Sequence, residues 1–78
     1  MMIKDLIWQQ ESPDLHTAKS MGLRFSVIKN ERGRYNAIML DSGRRPECEH
    51  DLSSINDAKA CCQKMLQRIA AYYIESGT

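Results

Sequence analysis

The chain has 78 residues, enough for one small domain and too few for a second core. Eleven basic against ten acidic residues give a formal charge of +1, which excludes a global electrostatic pull toward nucleic acid or anionic membrane. The apolar runs are too short to span a bilayer, Lys4 and Asp5 interrupt any signal-peptide core, and three cysteines, two of them adjacent, do not form a secreted disulfide framework. The expectation is a cytoplasmic single domain over residues 1–78 with no membrane partner.

Residues 3–10 read as a first strand, in which Leu6 and Trp8 alternate with Ile3, Asp5, Ile7 and Gln9. Ser12-Pro13-Asp14 ends it. Residues 13–21 are either loop or a short helix, because Ser12 suits a helix cap and Pro13 a first helical position. Two strand-like runs follow, 23–30 and 34–41, around Asn30-Glu31-Arg32-Gly33. That tetrapeptide suits a type I turn with Gly33 in the left-handed region, which pairs Asn30 with Arg34 and Val27 with Ala37. Leu23, Phe25 and Val27 then share a face with Tyr35, Ala37 and Met39, so turn chemistry and apolar pattern agree.

A second turn at Asp41-Ser42-Gly43-Arg44 leads to a strand over 45–51, kept short or at an edge by Pro46, which has no N–H to donate. A two-residue loop at Ser42-Gly43 puts Cys48 opposite Ala37 and His50 opposite Tyr35, on the inner face. A three-residue loop turns Glu47 and Glu49 inward instead. Burying two unpaired carboxylates is costly, so the first register is expected.

The last element is a helix over 54–74. Ser54 caps it with Asp57 at the third position, a carboxylate relative of the capping box. Ile55, Ala58, Cys62, Met65, Leu66, Ile69 and Tyr73 form one stripe at helical spacing, with Asn56, Ala60, Lys64, Gln67 and Ala71 opposite. The fold class is therefore α+β: an antiparallel β-meander of three or four strands with one long C-terminal helix packed on one face. Leu6, Trp8, Leu23, Phe25, Val27, Tyr35, Ala37 and Met39 meet the helix stripe in the core. The other face keeps Ile3, Ile7, Ile28, Ile38 and Leu40, too apolar a set to leave to water in so small a domain.

Leu6-Ile7-Trp8, Gly22-Leu23-Arg24-Phe25-Ser26-Val27, Gly33-Arg34-Tyr35 and Ser54-Ile55-Asn56-Asp57-Ala58-Lys59 with Gln63 run in an order that resembles small phage and prophage proteins. Those proteins open with a Leu-x-Trp strand and finish on a Ser-x-x-x-Ala-Lys-x-x-x-Gln helix. The resemblance covers nearly the whole chain and consists of cap, core and turn residues. It implies a fold and an origin in a mobile element. Cys61-Cys62, where small residues are usual, and the polar run 44–50 depart from the pattern.

Catalytic, cofactor and metal chemistry find no constellation. Cys48, His50 and Cys62 leave a tetrahedral zinc site one ligand short, and the adjacent Cys61 and Cys62 point about 100° apart on a helix. A Cys–His nucleophile lacks an orienting carboxamide and an oxyanion nest. The basic residues Lys29, Arg32 and Arg34 lie at one turn and Arg44 and Arg45 at the next, at opposite ends of a meander. The chain is expected to be a non-enzymatic accessory protein acting through protein–protein contact, as a homodimer or on a host protein. Ile3, Ile7, Ile28, Ile38 and Leu40 would form the apolar centre, with Arg24 and Glu47 at the rim. The alternative is nucleic-acid binding through the same sheet face, as in integrase arm-binding domains, with Arg24 and Asn36 in contact.

Overall fold

The computed structural model describes residues 5–41 and 46–76, with side chains as far as residue 71. In chain order the elements are β1 (Gln9–Ser12), β2 (Leu15–Ser20), β3 (Leu23–Lys29), β4 (Tyr35–Leu40), β5 (Glu47–Leu52) and α1 (Ile55–Ser76). The strands form one antiparallel sheet in the order β1-β2-β3-β4-β5, so the chain is α+β with five strands in place of three or four. Alternation in β3 and β4 builds the centre. Phe25 stands opposite Met39 and Val27 opposite Ala37, all of them buried. The connecting turn has the geometry its residues demand: the Asn30 N–H donates to the Arg34 carbonyl at 2.7 Å, and Gly33 takes φ +74°.

The helix covers the face bearing these residues. Ala58, Cys62, Met65, Leu66 and Ile69 are buried against it, while Asn56, Ala60, Lys64, Gln67 and Ala71 face water. The side chain of Tyr73 lies outside the described residues. Ser54 Oγ accepts the Asp57 N–H at 3.0 Å and Ser53 Oγ donates to the Asp57 carboxylate, so the cap and its acidic third residue act together. Truncating Leu66 to alanine in so enclosed a site costs about 2–5 kcal/mol, a large share of a small domain's stability.

Two stretches of the N-terminal half depart from expectation. The first strand begins at Gln9, later than residue 3, although Leu6 does enter the core and Trp8 packs beside it. The backbone at Leu6 is taken by the helix, its N–H donating to Gln63 Oε1 at 2.9 Å. Trp8 is closed from outside by Lys59, whose Nζ lies 5.6 Å from the ring centroid. Residues 13–21, expected as loop or short helix, contain β2. Ser12-Pro13-Asp14-Leu15 is a tight turn, and Met21-Gly22 connects Ser20 to its partner Leu23, with φ of +53° and +76°. Both values are those of a type I′ hairpin, whose first position customarily takes asparagine, aspartate or glycine.

The register of β5 is a correction. Ala37 pairs with Glu49, Ile38 with Cys48 and Met39 with Glu47, so the two carboxylates lie on the helix side and Cys48 on the outer side. The burial penalty that argued against this arrangement does not arise, because β5 is an edge strand. Glu47 is only half-buried, Glu49 is exposed, and Glu47 Oε2 accepts from Arg68 of the helix at 2.7 Å. An extra residue in β5 between Glu49 and Leu52 then restores the phase, setting Leu52 opposite Tyr35 and against the core. Asp51 occupies this bulge at φ +59°.

Candidate functional site

Residues two apart on a strand share a face, so the register dictates which side chains are neighbours on the side without a helix. Across the first row Lys19 stands opposite Arg24 and Arg24 opposite Leu40. The second row runs Gln9, Thr17, Ser26, Ile38 and Cys48. In the third, Leu15 stands opposite Ile28 and Ile28 opposite Asn36. The small side chains of Thr17 and Ser26 therefore sit in the middle of this face, between larger ones on the rows to either side.

That size pattern makes a depression. A concavity of about 680 Å³ lies over Thr17 and Ser26, lined by Ile7, Leu15 and Leu40, by the cations Lys19 and Arg24, and by Gln9 and Glu11 of β1. Ala18 and Phe25 line it through their backbones, since their side chains point into the core. Its apolar lining is open to water, with Ile7 84% and Leu40 40% exposed, and Ile28, opposite Leu15 on the same face, is 38% exposed. At the turn beyond, Met21 is 54% exposed, and a second open depression shared by Met21, Lys19, Arg24 and Leu40 continues the first.

The charges on this face are unevenly placed. Lys19 and Arg24 are exposed, directly opposed and of like sign, an arrangement that costs stability in a sheet. Among the described residues the ion pairs join Arg32 to Asp51 and Arg68 to Glu47, and neither Lys19 nor Arg24 has a carboxylate partner. Glu11, on β1, instead accepts the Thr17 hydroxyl at 3.0 Å.

Of the residues expected to form an interface, Ile7, Arg24, Ile28, Ile38 and Leu40 do share the outer face. Arg24 lies on the central strand but in the row next to the β2–β3 turn, at the end of the face. Ile3 lies outside the described residues. Glu47 belongs to the opposite face, held by Arg68, and Cys48 takes its place. The residues missed were Leu15, Thr17 and Lys19. Their alternation with His16, Ala18 and Ser20 is a strand signal, but Leu15 and Ala18 alone are apolar and a methionine occupies the turn.

His50 follows Cys48 to the exposed edge, where the Cys48 Sγ and His50 Nδ1 are 3.8 Å apart, too long for more than a weak contact. Partial burial, then the charge of Glu49, raise the thiols of Cys48 and Cys61. Cys62 is enclosed, and burial pushes its thiol up to about 12. Raised thiols stay protonated at neutral pH, so none of the three offers a ready thiolate. Among the described residues no three histidine, cysteine or acidic side chains converge as metal ligands, and no helix is long and apolar enough to cross a membrane. No protein family, characterised protein or solved structure matches this chain.

Proposed function

We propose that the chain is a non-enzymatic accessory module that docks another protein chain on the uncovered face of its sheet. The observation that carries this reading is the single helix on a two-faced sheet. It buries Phe25, Val27, Ala37 and Met39 and leaves Ile7, Leu40 and Ile28 in water on the other face, the first two around a shallow concavity. Exposed aliphatic side chains gathered about a depression, with an arginine beside them, have the composition of an interface more than of a solvated surface. The resemblance of the strand, turn and helix residues to phage and prophage proteins supports placing the module among mobile-element accessory proteins.

Sedimentation velocity tests the reading, on the pure protein and on the protein mixed with host lysate. Wild type should sediment as a species heavier than its 9.0 kDa monomer in at least one of the two conditions. Ile7→Glu and Leu40→Glu, both at exposed positions and shown folded by circular dichroism, should remain monomeric. A wild type that stays monomeric throughout, or variants that sediment as wild type does, removes this reading.

A further inference from the structure

The docking reading leaves the chemistry of the partner open, and the opposed cations on the docking face narrow it. Lys19 and Arg24 face each other across the β2–β3 ladder, with Leu40 beyond Arg24 and Ile7 on the same concavity. Two like charges directly opposed, with no carboxylate partner among the described residues, are unfavourable, and an anion between them turns that repulsion into two charge-assisted contacts. Below them are the small hydroxyl residues Thr17 and Ser26, which leave room for a side chain to enter. The Thr17 hydroxyl is already donated to Glu11, whereas no hydrogen bond of the Ser26 side chain occurs among the described residues.

Resting on the docking proposal, we infer that the concavity receives an acidic side chain of a different protein, a carboxylate flanked by aliphatic residues. The carboxylate sits between Lys19 and Arg24 above Ser26, and its aliphatic neighbours lie on Ile7 and Leu40. A second copy of this chain fits poorly. A two-fold axis along the strands, between β2 and β3, sets Lys19 against Arg24. An axis across them, through the middle row, sets Lys19 against Leu15 and Arg24 against Ile28. Glu11 also lines the concavity, at the β1 bulge near Leu15 where it accepts the Thr17 hydroxyl, so the carboxylate is placed at the opposite, Lys19–Arg24 end. Nucleic acid fits less well, because the cations are confined to one row.

The test uses the full-length, isotope-labelled protein and two short peptides with blocked ends. One carries leucine and valine on both sides of a central glutamate, and the other has glutamine in its place. Titration followed by amide chemical shifts should move Lys19, Arg24, Ser26 and Leu40, with the glutamate peptide bound about tenfold more tightly. The double variant Lys19→Gln with Arg24→Gln should erase this preference while keeping the affinity for the glutamine peptide. Ile7→Ser should weaken both peptides alike.

Equal binding of the two peptides at this face overturns the carboxylate assignment and leaves protein docking intact. No shift with either peptide also overturns it, and the sedimentation result then decides separately whether docking stands. A DNA duplex that moves the same amides at low salt when the peptides do not overturns the choice of a protein partner.

Discussion

Asn30 Nδ2 donates to Asp51 Oδ1 at 2.8 Å, joining the β3–β4 turn to the bulge of β5 across the start of β4. The same amide donates to Asn36 Oδ1 at 3.0 Å, and its own oxygen accepts the Arg32 and Arg34 N–H groups at 2.9 and 3.1 Å. Asn36 Oδ1 also accepts the Asp51 N–H at 3.1 Å, and Arg32 reaches the other Asp51 oxygen at 2.9 Å. One side chain therefore holds a turn closed and pins the irregularity that returns Leu52 to the core.

Replacing Asn30 by alanine should lower the unfolding free energy by about 2–3 kcal/mol, the net worth of several partly buried hydrogen bonds. Asn30→Asp should cost more at neutral pH, because it removes both donors and sets a carboxylate against Asp51. Urea denaturation measures each. A loss below about 0.5 kcal/mol for Asn30→Ala would show that the network does not bear on stability.

The β2–β3 turn offers a gain as well as a loss. Met21 at φ +53° carries a side chain in a region that suits asparagine or glycine better, so Met21→Asn should stabilise by about 0.5–1 kcal/mol. Gly22 at φ +76° has open space where a Cβ would go, so Gly22→Ala isolates backbone strain from crowding. It should destabilise by about 1–2 kcal/mol. Thermal melts of both variants check the turn type, and a stabilising Gly22→Ala would contradict it.

Reversing one charge of the Lys19–Arg24 pair converts a repulsive cross-strand contact into an attractive one. Lys19→Glu should raise stability by about 0.2–1 kcal/mol. For a domain of this size that is a rise in Tm of about 1–6 °C, smaller at high salt. Such a gain from disrupting the face would mean that the two cations serve something other than folding. An unchanged or lower Tm at low salt would show that they do not repel.

Cys62 makes stability sensitive to alkali. Burial raises its thiol from 9.0 to about 12 in the folded chain. The folded protein therefore keeps a proton that the unfolded chain gives up, so this stabilisation is whole below about pH 9 and is lost as pH rises toward 12. Cys62→Ala costs stability at neutral pH by leaving a small cavity. The gap between wild type and Cys62→Ala should narrow by about pH 10.5. A gap that stays constant from neutral to alkaline pH would show that the thiol titrates as if exposed.

Much of the fold was legible in local residues. Ser54 and Asp57 marked the start of the helix, the stripe from Ala58 to Ile69 marked its buried side, and Asn30 with Gly33 set the register of Val27 on Ala37. Each signal lies within a few residues and acts through backbone geometry or periodicity. The strand β2 escaped notice because it gives the core only Ala18, and because Met21 hides a turn that asparagine would have announced. On the outer face, Ile28, Ile38 and Leu40 follow from the alternation of β3 and β4, whereas Ile7 reaches it from outside any strand and Lys19 is missed with β2.

What the chain determined by itself is the class of architecture, the helix and its buried stripe, and the central hairpin, since capping, periodicity and turn conformation are local preferences. What only tertiary structure decided is the side on which β5 presents its residues and the meeting of Lys19 with Arg24. The cost of turning Glu47 inward depends on how far the helix reaches over the edge, and Arg68 is there to receive it. The opposition of Lys19 and Arg24 exists because β2 became a strand, and with it the face gained a chemistry as well as an apolar surface.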